Sequence, residues 1–153
     1  MSCCRNRVAI IGAYKLSEYA TVPTYGTADS ACFDLYACVE SDLELKPNQR
    51  VLIPTGLILD IPKGHSVRLH PRSGLSLKKG LSLANCEGVI DSDYVEEVFV
   101  LMINSSNETQ YIKQGDRVCQ GELVKNEKTT FRLLDEIPTL KTNRDGGFGS
   151  TGE

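Results

Sequence analysis

Val98-Phe99-Val100-Leu101-Met102-Ile103 is an unbroken run of six apolar residues, and it reads as a β-strand buried on both faces. On either side of it the pattern stays strand-like. Leu57, Leu59 and Ile61 alternate with less uniform partners, and Val67 and Leu69 flank Arg68. Turn signals at Pro47-Asn48, Thr55-Gly56, Pro62-Lys63-Gly64, Asn104 to Asn107 and Gln114-Gly115-Asp116 recur at roughly the 8–12-residue spacing of a sandwich or barrel. Only Ser73 to Lys79 suits a helical turn or two, closed by Gly80 as C-cap. The expected fold is all-β, a jelly-roll-like sandwich with one short helix.

The chain has 153 residues, enough for one domain and one core. With 17 basic and 20 acidic side chains its net charge is -3, so it should not bind nucleic acid directly by bulk charge. No apolar run approaches the ~18 residues of a membrane span, and no signal-peptide core precedes Val8, so a soluble intracellular protein is expected, in cytoplasm or nucleus. The six cysteines show no metal-binding or CxxC spacing and read as reduced packing residues. His65 and His70, the only histidines, read as partly exposed strand residues.

Composition changes after Pro138. From Thr139 to Glu153 the large apolar residues are Leu140 and Phe148, with four glycines, so residues 1–138 are expected to form the β domain and residues 139–153 a mobile arm. Residues 1–15 form an N-terminal extension without an evident role.

Three segments could carry chemistry. Pro71-Arg72-Ser73-Gly74 sets a guanidinium fork, a hydroxyl and an approachable backbone N–H at a helix start, which suits phosphate oxygens. A plain turn with a Ser N-cap accounts for it as well. Gly88-Val89-Ile90-Asp91-Ser92-Asp93-Tyr94 places carboxylates and a ring in a turn before the apolar strand, with Asp91 as candidate general base and Tyr94 as a platform for a ring or sugar. An Asx-rich hairpin is the alternative there. In the tail, Arg144 and the run Gly146-Gly147-Phe148-Gly149-Ser150-Thr151-Gly152 could wrap phosphates and stack on a base, though such composition also marks a disordered end. Two weaker segments are Ala31-Cys32-Phe33-Asp34-Leu35, and Gly115 to Gln120 with an expected internal Asp116/Arg117 pair.

Taken together and in order, these five segments resemble the five motifs of the homotrimeric dUTPase family, deoxyuridine 5′-triphosphate nucleotidohydrolases, over about Leu16 to Gly152. The resemblance implies a β-clip-type trimer whose active sites draw on more than one subunit, with the arm closing over its neighbours' site. It implies Mg²⁺-dependent hydrolysis of dUTP to dUMP and pyrophosphate, which limits uracil in DNA and supplies dUMP for dTMP synthesis. Asp91 would activate the water and Gln120 hold it or the α-phosphate. Arg72 and Ser73 would stabilise the departing pyrophosphate, and Asp34 would meet the metal through water. Substrate contacts would come from Ser73, Gly74, Asn85, Gly88, Ile90, Tyr94, Arg144, Phe148, Gly149, Ser150 and Thr151. Three positions depart from the family pattern: Cys32 and Glu96 stand where glycine is usual, and one residue is missing between Arg144 and Gly146. A related dCTP deaminase and a nucleotide-binding module without catalysis share the scaffold.

Overall fold

The computed structural model describes residues 8–143. Its strands, in chain order, are β1 Gly12–Lys15, β2 Thr24–Tyr25, β3 Phe33–Tyr36, β4 Leu43–Leu45, β5 Arg50–Asp60, β6 His65–His70, β7 Leu81–Leu83, β8 Gly88–Asp91, β9 Glu97–Asn104, β10 Gln110–Ile112 and β11 Arg117–Lys125. One helix, α1 Ser73–Lys79, interrupts them. The strands form a sheet in the order β1-β5-β9-β7, a second in the order β2-β3-β11-β6-β8, and a two-stranded ribbon of β10 and β4. Every pairing is antiparallel.

Period-two patterning builds the core. Ile53 and Leu59 of β5 and Val98, Val100 and Met102 of β9 meet Phe33, Leu35, Val67, Leu69 and Ile90 from the second sheet. The β9 run departs from the sequence expectation. Its inward residues are buried, but Phe99 is 40% exposed and shares the outer face with its register partner Pro54 and with the pair Leu52 and Leu101, Leu52 being 57% exposed. A two-layer sandwich covers one face of each sheet, so burial of the second face needs a layer that this single chain does not supply.

Local devices fix the exits toward the site. The register between β5 and β9 shifts between Pro54 and Ile58, because proline brings no N–H to the ladder. The Glu97 carboxylate accepts the Gly56 N–H at 2.8 Å, and the Thr55 hydroxyl donates to the Val98 carbonyl at 2.6 Å. Gly80 ends α1 in the left-handed region at φ 64°, where a Cβ would lie 2.9 Å from the Ser106 backbone N. Lys78 and Lys79 occupy the last turn, the favourable end for cations.

The last strand ends at Lys125, and 126–143 lie outside any strand or helix, with Phe131, Leu133 and Ile137 almost fully exposed. The composition change after Pro138 therefore does not coincide with the end of regular structure. Among the described residues no helix is long and apolar enough to cross a membrane.

Candidate active site

β3 and β6 flank β11, and this puts Asp34, Gln120 and His70 side by side: Gln120 is the register partner of Asp34 on one side and of His70 on the other. Residues opposite one another project to the same face of a sheet, here the outer one. Just beyond His70 the chain leaves the sheet through Pro71 and enters α1, whose N-cap is Arg72 rather than Ser73. Ser73 is therefore the first helical residue, and the first-turn N–H groups have no partner within the helix.

The arginine is anchored at two points. Arg72 Nε lies 3.2 Å from Asp34 Oδ1, and Arg72 Nη1 donates to the Arg117 carbonyl at 3.3 Å. Arg117 Nη1 reaches Asp34 Oδ2 at 3.5 Å. The expected pairing of Arg117 with Asp116 does not form, because Asp116 Oδ2 accepts the Lys113 N–H at 2.9 Å and closes its own turn. Gln120 Nε2 donates to the Pro71 carbonyl at 3.0 Å, which fixes the amide and leaves its oxygen and second N–H available. Around these groups lies a cavity of about 380 Å³ lined by Ser30, Cys32, Asp34, Arg72, Ser73, Gly74 and Gln120, among others. A Cβ at Gly74 would meet no atom within 4 Å, so packing does not demand glycine there; its bareness keeps the approach to the helix N–H groups open.

The second group sits elsewhere. Asp91 ends β8, opposite Ser66, whose partner on β11 is Val124. From Gln120 that is four residues along the strands and two strands across, about 13 Å by about 10 Å. Within one chain Asp91 does not meet Arg72, Ser73 or Gln120. It lines a separate pocket of about 300 Å³ with Arg68, Lys125 and Lys128, among others.

Around Asp91 the hairpin is well fixed. The Tyr94 N–H donates to the Asp91 carbonyl at 3.1 Å, and the Tyr94 hydroxyl donates to the Glu97 carbonyl at 2.7 Å, so the ring is tethered while 40% exposed. β8 is an edge strand, so alternate backbone groups along Gly88–Asp91 face away from the sheet, unpaired within it. Ile90 is buried, so only its main chain can face a ligand. Gly88 packs under Leu69, where a Cβ would come within 3.0 Å of the Leu69 Cβ. Asn85 is exposed in the turn between β7 and β8. Positive φ among the described non-glycine residues occurs at Asn48 and Cys86 alone, so the backbone at Glu96 makes no demand for glycine.

Arg144, Phe148, Gly149, Ser150 and Thr151 lie outside the described residues. Among the described residues no three or more His, Cys, Asp or Glu side chains gather as a metal cage. Asp34, the carboxylate in the cavity, is already engaged by two arginines, a donor set that suits a hydrated cation brought by a ligand's phosphates and met through water.

Cys32, Cys38, Cys86 and Cys119 are all free thiols. Burial, then the Asp34 charge, push Cys119 up to about 12, with Arg72 opposing; burial, then Glu122 and Asp34, raise Cys32. Thiolate is the reactive form. Iodoacetamide at pH 7.5 is therefore expected to label exposed Cys86 ahead of Cys32, Cys38 and Cys119 and to leave Cys119 unmodified in the folded protein, checked by mass spectrometry; prompt labelling of Cys119 contradicts this packing. Above pH 9.0 the unfolded chain loses the Cys119 proton while the folded chain keeps it to about 12, so stability should fall across that interval.

Sequence reasoning missed the contacts that hold the site in place: Asp34 with two arginines, His70 with Glu122, and Glu97 with Gly56. Each joins residues far apart in sequence, and no local spacing signals them.

A family model described as dUTPase matches residues 18–152. A Finegoldia magna deoxyuridine 5′-triphosphate nucleotidohydrolase is 47% identical over 131 residues, 86% of this chain and 91% of that protein. Its Treponema denticola counterpart is 45% identical over 138 residues, 90% and 95% of the two chains. Among solved structures, the Staphylococcus bacteriophage 80alpha dUTPase with dUpNHpp superposes with a TM-score of 0.82 at 22% identity, covering 94% of this chain and 98% of the phage protein. A mutant dUTPase from phage phi11 of S. aureus, described with a structural Mg(II) ion, gives a TM-score of 0.76 at 21% identity, covering 85% and 99%.

Proposed function

This chain belongs to the dUTPase family and hydrolyses dUTP, and from that premise we propose that the products are dUMP and pyrophosphate, formed when a water held by Asp91 attacks the α-phosphorus in line with the departing pyrophosphate. The observation that carries the reading is the cavity at the start of α1, on which Arg72, Ser73, Gly74 and Gln120 converge. Phosphoryl transfer asks little covalent work of a protein, so positioning and charge neutralisation supply most of the acceleration. Arg72, held flat by Asp34, presents its remaining N–H groups to phosphate oxygens, and Ser73 with the first-turn N–H groups receives the charge that grows on the leaving group. The Gln120 oxygen is free to accept a hydrogen bond from the attacking water while its second N–H reaches an α-phosphate oxygen. Mg²⁺, bound to the triphosphate and met by Asp34 through water, would add charge neutralisation at the phosphates.

Specificity falls to the β8 hairpin. Backbone donors and acceptors along its free edge, around Asn85, Gly88 and Ile90, match uracil and mismatch cytosine. The tethered Tyr94 ring lies under the deoxyribose and leaves no room for a 2′-hydroxyl. In the cell this activity limits uracil in DNA and supplies dUMP for dTMP synthesis.

The separation of Asp91 from the cavity makes a single chain insufficient, and we read the active unit as a homotrimer in which one subunit lends Asp91 and Tyr94 to another's cavity, with Arg144 and Phe148 to Thr151 of an arm closing over them. The uncovered face of β9 and β5 supports association, since Leu52 and Phe99 remain well exposed in the isolated chain.

A panel of dUTP, dCTP, dTTP and UTP with pyrophosphate detection, with and without Mg²⁺, tests the reading. Release from dUTP alone, dependent on Mg²⁺, is expected. Ammonia from dCTP, or dUTP binding without turnover, would overturn it in favour of a deaminase or a binding module on the same scaffold.

A further inference from the structure

We infer that His70 and Glu122 form a charge-compensating pair that positions the exit of β6 into the phosphate cavity and ties the cavity's affinity for a triphosphate to the protonation of His70. The inference deepens the proposed reading and rests on it.

His70 is the last residue of β6, and the next four residues are Pro71-Arg72-Ser73-Gly74. Its Nε2 lies 3.0 Å from Glu122 Oε1, with both side chains partly exposed. Because Gln120 is the register partner of both His70 and Asp34, the side chains of Asp34, Gln120, His70 and Glu122 share one face of the sheet. The β6 exit is thus held twice from β11, by His70 to Glu122 and by the Pro71 carbonyl to Gln120. Glu122 acts on the cavity beyond holding His70. Cys32 lines that cavity, and after burial the charges of Glu122 and Asp34 are what raise its thiol.

Counting charges shows what His70 decides. Arg72 and Arg117 against Asp34 leave one positive charge at the cavity. Glu122 cancels it unless His70 is protonated. The charged neighbours of the pair are Arg68, the register partner of Glu122, and Glu87, which directly precedes Gly88, the partner of Leu69; these two hold each other at 3.1 Å and add no net charge. With neutral imidazole the Nε2–H still donates to the carboxylate, so the exit stays held while the pair carries a negative charge. With imidazolium the pair is neutral, and a polyanion meets a net positive cavity.

The test is calorimetric affinity for the non-hydrolysable analogue dUpNHpp with Mg²⁺, at pH 5.5 and pH 8, for the wild-type protein, His70→Gln and Glu122→Gln. Titration of the analogue's own phosphate is common to all three and cancels in ratios. Glutamine at 70 keeps a donor to Glu122 but cannot gain charge. At pH 8 His70→Gln should match wild type, whereas at pH 5.5 it should bind about three- to tenfold more weakly. Glu122→Gln should bind about three- to tenfold more tightly than wild type at pH 8. The same pH dependence in wild type and His70→Gln, or no gain in Glu122→Gln, would overturn the inference while leaving the proposed function standing. Failure of the wild-type protein to bind the analogue would overturn both.

Discussion

Asp91→Asn is expected to lower kcat for dUTP by about 10²–10⁴-fold, the range supplied by a positioned general base, while dUpNHpp still binds within a few-fold of wild type. Asparagine keeps the size and most hydrogen bonds of the side chain but cannot take a proton from water. The residue is exposed at the end of an edge strand, and among the described residues no ion pair engages it, so its replacement disturbs no packing. The substitution thus separates chemistry from folding. Single-turnover kinetics and analogue titration on one preparation decide the matter: a kcat near wild type would remove Asp91 from the mechanism, and loss of analogue binding would make it a structural residue.

Arg72→Ala should be comparably severe, with about 10²–10³-fold lost in kcat/KM, as when one preorganised donor is taken from a site of developing charge. Here a structural cost must be subtracted, because Asp34 would keep only the longer contact to Arg117 at 3.5 Å. Arg72→Lys addresses this. Lysine preserves the charge but not the flat fork that engages Asp34 and the Arg117 carbonyl together, so it should recover thermal stability more fully than activity. Recovery of full activity with lysine would show that charge alone suffices and that the anchored geometry is irrelevant.

Local features were legible where the physics is local. The Ser73–Lys79 helix and its Gly80 cap follow from a short segment and one left-handed glycine, and strands such as β6 and β9 follow from their apolar pattern. Burial on both faces of β9 was not decidable, because an apolar run looks alike whether its second face meets the same chain or another copy. The site was legible as five pieces but not as contacts. Asp34 reads as one acid in an apolar strand, and nothing near it announces two arginines, one entering from the β6 exit and one from the start of β11. His70 reads correctly as a partly exposed strand residue; that it sits across from Glu122 depends on the β6–β11 register, which only the folded sheet defines. Glu96 stands where the family pattern has glycine, yet the hairpin runs through it without positive φ.

The distance between Asp91 and the Arg72 cavity makes the sharing of sites between copies a question of complementation. Asp91→Asn and Arg72→Ala chains, each nearly inactive alone, should be unfolded together and reassembled at equal concentration. If each site draws Asp91 from one copy and Arg72 from another, random mixing restores roughly a quarter of wild-type dUTP turnover, since that fraction of sites receives both intact residues. Activity no greater than the sum of the separate variants, in a mixture that sedimentation shows to be reassembled, would contradict shared sites and the account built on them.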